Sequence, residues 1–162
     1  MSEESVVRNK RNFRRLQEEV IVGGDVSLVP ELMAPHMRVL RGGDDSFLLL
    51  GGRQVPEGRV ITQEQFIQQY RATVGEPKVH RRTITAMHGE GDVVWARWTI
   101  EEQHDSGRYG VPPTGKVLTV EEVAMVRFDD EGRMVEGWFM RDPVEVLTQI
   151  GAKVTVEPAA AE

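Results

Sequence analysis

Asp142 is the residue of this chain best placed by type and setting to move a proton. It follows an apolar run, Trp138-Phe139-Met140-Arg141, and on a regular strand Trp138, Met140 and Asp142 share one alternation phase. A carboxylate desolvated by such neighbours can accept a proton and later return it, which is what general acid/base catalysis asks of a side chain. The same residue has a plain structural reading. In Asp142-Pro143-Val144-Glu145 an acid at the N-cap, a proline at the first helical position and a glutamate at the third together resemble a helix start. One side chain can do both, capping a helix at rest while facing a ligand.

Other residues able to do chemistry are fewer. His104 lies beside a turn rich in glycine and proline, where a histidine is commonly no more than exposed. His80 and His88 share a strand phase but stand too far apart for one metal to bridge, and no HExxH pattern occurs. No metal or cofactor is expected. Glu121 and Glu122 are neighbours within an apolar strand, so one of them points towards a covered face, where it needs a partner or a role. Trp95 and Trp98 fall in opposite phases, so at most one lines a cavity. Phe13, Phe66 and Tyr70 read as core, with the Tyr70 hydroxyl available to a ligand.

The elements that must position these groups can be read in order. Residues 5 to 22 carry Val6, Phe13, Leu16 and Val20 on one helical stripe, and the arginines beside it are spaced to pair with Glu18 and Glu19. Gly23-Gly24 ends this helix, and Asp25 can cap a short second one through Met33, interrupted by Pro30. An extended segment from His36 to Leu50 contains a turn at residues 42 to 45, which suggests a hairpin. The glycine-rich residues 51 to 58 lack a following Gly-Lys-Ser/Thr and read as a surface loop. Thr62 and Gln65 form a capping box for a helix whose stripe is Phe66, Ile67, Tyr70 and Val74. Residues 78–88, 92–103, 116–128 and 133–141 then alternate as strands, joined by turns that make neighbours antiparallel. Because two of these strands are apolar in both phases, both sheet faces need cover: helices on one, a pocket or a second subunit on the other. A helix from Pro143 to Ile150 closes a single domain spanning residues 1–151, and residues 152–162 read as a disordered tail. The expected class is α+β, a curved antiparallel sheet with amino-terminal helices segregated to one face and a cavity between them.

Composition narrows the partners. The 162 residues suit one domain, and 20 Lys and Arg against 26 Asp and Glu give a net charge of -6, which repels nucleic acid and anionic membranes. Cysteine is absent, which removes disulfides and thiolate chemistry. The acidic start, Met1-Ser2-Glu3-Glu4-Ser5, does not resemble a signal peptide, and no run has the length of a membrane span, so a soluble cytoplasmic protein is expected.

Several fragments fall in the order and approximate spacing of the SnoaL-like polyketide cyclase family. They are Asn9-Lys10, Arg14-Arg15, Glu18-Glu19-Val20 and Gly24-Asp25, then Glu31-Leu32-Met33-Ala34-Pro35. Closer to the other end come Gly89-Glu90-Gly91-Asp92-Val93-Val94, His104, Gly110-Val111-Pro112-Pro113-Thr114-Gly115-Lys116, Glu136-Gly137-Trp138, Asp142 and Gln149-Ile150-Gly151. The chain resembles that family over nearly its whole length. The resemblance implies the nuclear-transport-factor-2-like cone around a small-molecule cavity, usually dimeric, here as a homodimer through the sheet. It implies ring closure by intramolecular aldol condensation without a metal, one aspartate serving as general acid and base. By position that aspartate is Asp142, and His104 could polarise a carbonyl. Trp138, Met140, Trp98 and Phe13 are the expected substrate contacts, with Tyr70, Phe66 and an inward Glu122. The alternatives are a non-catalytic binding protein of the same fold, or a related hydrolase or dehydratase that sets a glutamate opposite the aspartate to activate water. Some positions depart from the family. Leu40 and Arg41 stand where many members have a histidine, and Gln103 and Asp105 replace the residues that usually flank His104.

Overall fold

A computed structural model describes residues 2–41, 58–73, 79–105, 111–153 and 155. Helix α1, Glu3–Arg15, begins at Ser2, whose hydroxyl accepts from Ser5 N–H, and carries Glu3 and Glu4 in its first turn, where the helix dipole favours acids. It runs on into a π-helical stretch, Leu16–Val22, and stops at Gly24, whose φ of 82° only glycine adopts freely. The arginines of this helix pair with acids one turn on, Arg14 with Glu18 at 3.4 Å and Arg15 with Glu19 at 3.2 Å, so the basic run is a solvated face. Asp25 accepts from Ser27 N–H at 3.1 Å and opens a 3-10 turn, Val26–Leu28, that leads into α2, Val29–Leu32. Pro30 is tolerated because it lies in the first turn of α2, where an N–H has no intrahelical partner to lose.

Strands β1 (Met33–Arg41) and β2 (Arg59–Thr62) come next, then helix α3 (Gln63–Thr73). The capping box is formed as expected: Thr62 N–H donates to Gln65 Oε1 at 2.9 Å, and Gln65 N–H to Thr62 Oγ1 at 3.1 Å. The turn expected at residues 42–45, the loop at 51–57 and Val74 lie outside the described residues. Strand β2 was not anticipated, because four residues bounded by a glycine-rich stretch and a helix start carry too short an alternation to register.

The remaining strands are β3 (Val79–Glu90), β4 (Val93–Gln103), β5 (Val117–Phe128) and β6 (Met134–Arg141), and α4 (Pro143–Ile150) follows them. All six strands form one sheet in the order β2-β1-β6-β5-β4-β3. Neighbours from β3 to β6 are antiparallel, as the short turns after β3 and after β5 require of the strands they join, whereas β1 lies antiparallel to β2 and parallel to β6. The parallel pairing joins the two ends of the sequence, and no local turn could announce it.

Even-numbered positions from Val94 to Glu102 and from Leu118 to Phe128 are buried, so β4 and β5 turn one phase inward along their length. Against this inner face pack Phe13, Leu16 and Val20 of the first helix, with Val29 and Leu32 of α2. Phe13 and Trp98 meet with ring centroids 5.4 Å apart and planes tilted by 58°. Helix α4 covers the other end of the inner face, its Val146 and Ile150 packing on Leu118 and Val120. The result is the α+β arrangement of a curved sheet with helices on one face. No helix among the described residues is long and apolar enough to cross a membrane.

Candidate functional site

The inward phase of the sheet is not wholly apolar. Where β4, β5 and β6 lie side by side, Trp98 is opposite Glu122 and Glu122 is opposite Arg141, which makes one row across three strands. All three side chains belong to buried residues: Trp98 is fully covered, Glu122 is 4% exposed and Arg141 8%. Further along the inward phase of β4 stand Glu102 and then His104, both buried as well. Arg141 reaches Glu102, with Nη1 3.8 Å from Oε1. On the side of β3, Arg82 donates to Oε1 of the buried Gln17 in the π-helical stretch. A polar band therefore runs across an otherwise hydrophobic wall. Burying charge is costly unless it is paired, so the band must be either internally matched or matched by a ligand.

Along β4 and its continuation, Trp98 Nε1 and His104 Nε2 meet no partner among the described residues. His104 is far from the exposed loop residue its glycine-rich surroundings suggest. Its ring is buried, and Nδ1 lies 3.0 Å from Thr114 Oγ1 and 3.3 Å from Thr114 N.

Asp142 follows Arg141, the last residue of β6, and so takes the opposite phase. It is exposed, and its Oδ1 accepts from Val144 N–H at 2.8 Å, with Pro143 next to it in the first turn of α4. The capping reading of this residue is thus realised. The desolvation by Trp138 and Met140 is not, because the phase these residues share faces away from the helices. Met140 is 36% exposed there, and Trp138 packs edge-on against the exposed Trp95, with centroids 6.3 Å apart. Of the adjacent acids, Glu122 is the inward one, while Glu121 lies outside and pairs with Arg97 at 3.0 Å.

The structure brings Phe13, Trp98 and Glu122 together on the inner face and leaves Trp138, Met140 and Asp142 off it. Phe66 and Tyr70 are half-buried on α3, and the Tyr70 hydroxyl donates to the Ile21 carbonyl at 3.2 Å, tying α3 to the first helix. Sequence reasoning missed Glu102, Arg141, Arg82 and Gln17. For Glu102 the signal was present, since it continues the even phase of Trp98 and Ile100; for Arg141 it was the odd phase shared with Gly137 and Phe139. Among the described residues no three His, Asp or Glu side chains converge as metal ligands would.

Among curated proteins, none matches the chain. Solved structures do. IdmH, a candidate polyketide cyclase of Streptomyces antibioticus, is 27% identical with a TM-score of 0.69, over 89% of this chain and 99% of its own. A candidate SnoaL-like polyketide cyclase of Jannaschia sp. CCS1 is 20% identical with a TM-score of 0.72, over 95% and 99%. A candidate polyketide cyclase of Acidithiobacillus ferrooxidans is 22% identical with a TM-score of 0.70, over 93% and 97%. The last two speak for the fold alone. In sequence, residues 52–150 match the SnoaL-like polyketide cyclase family, and since that is more than half its length, the chain belongs to this family.

Proposed function

We propose that this chain is an acid/base enzyme that works without a cofactor on a polyketide-like or other carbonyl-containing small molecule, closing a ring by intramolecular aldol addition. The observation that carries the reading is the end of β6, where a buried guanidinium paired with Glu102 is followed at once by an accessible, oriented carboxylate. Arg141 fixes the strand end from within, and the cap to Val144 N–H fixes Asp142 through one oxygen. Its Oδ2 accepts no hydrogen bond among the described residues and is left for a proton. Family membership supports the reaction class.

In this mechanism the Asp142 carboxylate takes a proton from a carbon flanked by two carbonyls, and the enolate so formed is delocalised by the substrate itself. The carbon attacks a second carbonyl of the same molecule, a carbon–carbon bond forms, and the resulting alkoxide takes the proton back. The substrate supplies the desolvation that Asp142 lacks at rest. Phe13, Trp98, Phe66 and Tyr70, on the helix-covered side, would take the body of the substrate, and Asp142, just beyond the end of β6, would meet its reacting end at the rim. Trp138 and Met140, on the outer face with Trp95, suit instead the contact of a homodimer through the sheet.

Asp142→Asn tests the assignment well because asparagine caps a helix as well as aspartate. Turnover of an aromatic poly-β-ketone ester should fall by about 10²- to 10⁴-fold with fold and ligand binding kept. Full activity in that variant would sink the mechanism, and a wild-type protein that binds the ester without turning it over would make the chain a binding protein. One observation favours a second reading, hydration or dehydration: Glu122 is a buried, inward acid opposite Arg141, on the side where such a reaction sets a second carboxylate. Loss of activity in Glu122→Gln but not in Asp142→Asn would select it.

A further inference from the structure

His104 is gripped by a segment of chain ten residues further on. Its N–H donates to the Lys116 carbonyl at 2.8 Å, and its own carbonyl accepts from Thr114 N–H at 3.1 Å and Gly115 N–H at 2.8 Å. Gly115, at a φ of 68°, provides the left-handed position this turn needs. The imidazole is then addressed by the same residue that grips the backbone. Thr114 N–H points at Nδ1 from 3.3 Å, and a backbone N–H can only donate, so Nδ1 must present its lone pair. The hydroxyl agrees with this. Thr114 Oγ1 accepts from Lys116 N–H at 3.4 Å, which leaves its own hydrogen for Nδ1, 3.0 Å away. With Nδ1 unprotonated, the neutral ring carries its hydrogen on Nε2.

That Nε2 is buried, within a residue 2% exposed, and has no partner among the described residues. Buried donors in folded proteins are nearly always paired, so an orphan held in a fixed geometry of this kind calls for an occupant. We infer that Thr114 is a positioning residue that locks His104 in the Nε2–H tautomer, and that this donor receives a hydrogen-bond-accepting oxygen of a ligand, a carbonyl or the enolate made from it. The chemistry excludes the converse. A lone pair at Nε2 would accept from an ammonium group, whereas a fixed N–H rejects that donor-only group and strengthens its bond to an oxygen as negative charge builds there. Trp98 Nε1, an obligate donor, is the other orphan on the inward phase of the same strand, so both unmatched atoms ask for acceptors. The inference rests on the inner face being the ligand site, but not on Asp142 being the base.

The tautomer can be read without any reaction. In the ligand-free, ¹⁵N-labelled full chain, long-range ¹H–¹⁵N correlation at neutral pH should show His104 with Nδ1 unprotonated and Nε2 protonated. Titration with acetylacetone, a 1,3-diketone, should then shift the Nε2 resonance. Thr114→Val removes the hydroxyl donor but keeps the backbone N–H, so it should raise the share of the Nδ1–H tautomer without inverting the ratio and weaken acetylacetone binding by up to about tenfold, the net contribution of one hydrogen bond, and Thr114→Ser should restore both. A protonated Nδ1 in the wild type overturns the inference, as does an unchanged tautomer ratio in Thr114→Val. An Nε2 resonance indifferent to the diketone, as for a donor held by a trapped water, overturns the ligand role. If Thr114→Val does not fold, the wild-type spectrum and the serine variant still decide. Because Asp142→Asn leaves these spectra untouched, failure here is distinct from failure of the proton-transfer mechanism.

Discussion

Removing Arg141 should be among the most damaging single changes to this protein, and the reason lies in the acids around it. The Arg141 and Glu102 side chains are 6% and 5% exposed and stand 3.8 Å apart, while Glu122 lies directly across the β5–β6 pairing. At an effective dielectric constant of about 20, charges at that separation attract by roughly 4 kcal/mol, which offsets much of the cost of withdrawing them from water. Arg141→Met keeps the bulk of the side chain but takes the cation away from the buried Glu102. The expected loss is about 3–5 kcal/mol. In urea, with a slope of about 2 kcal/mol/M, the midpoint should fall by roughly 1.5–2.5 M at unchanged slope, and Tm by about 6–20 °C. Adding Glu102→Gln to Arg141→Met should recover part of that loss, because the second change removes the buried charge that Arg141 faced. A single variant within about 0.5 kcal/mol of wild type, or a double variant no better than the single, would refute the argument and show that the pair contributes no more than an exposed ion pair does.

Four further outcomes can be checked. Asp142→Ala should lose about 1 kcal/mol of stability in chemical denaturation, while Asp142→Asn loses almost none, since only the first removes the acceptor of Val144 N–H. Phe13→Ala, emptying a fully buried site against Trp98, should cost about 3–5 kcal/mol by the same measurement. Gly132→Ala should destabilise by about 1–3 kcal/mol in thermal unfolding, because φ is 82° there and a Cβ would press on the Arg8 guanidinium. Asp129 supplies a pH test. Partial burial, the largest single influence, pushes its carboxyl upward, but the N–H and guanidinium of Arg133 and the N–H of Glu131 together hold it below the usual carboxylate range. A depressed folded-state value stabilises the protein above the unfolded value and loses that contribution as pH falls through the folded one. The stability gap between wild type and Asp129→Asn should therefore be full at neutral pH and close progressively below about pH 4; a gap that persists undiminished at pH 2 would contradict it.

Much of the architecture was legible because its causes are local. The β3–β4 and β5–β6 junctions follow from Gly/Asp turns, the start of α3 from the Thr62 and Gln65 side chains, and the cap of α4 from the order Asp142-Pro143. Strand β2 was not, being only four residues long, and the parallel union of β1 with β6 was not, since it depends on residues about a hundred positions apart. The candidate site divided in the same way. Glu121 and Glu122 could be set apart as one inward and one outward, but not told which was which, and His104 read as exposed because nothing near it in sequence buries it.

By itself, then, the sequence determined phase, boundaries and family. Alternation is a property of the chain alone, so Trp138, Met140 and Asp142 had to share a side, and Trp95 and Trp98 had to differ. Which side is the inside was decided only when the first helix, α2 and α4 were laid against the sheet, because a strand's two faces are equivalent until something packs on one of them. That choice placed Trp98, Glu102, Glu122 and Arg141 within and left Asp142 at the rim. Register then decided partners: sliding β5 or β6 by two residues would keep every face and still part Glu122 from Arg141.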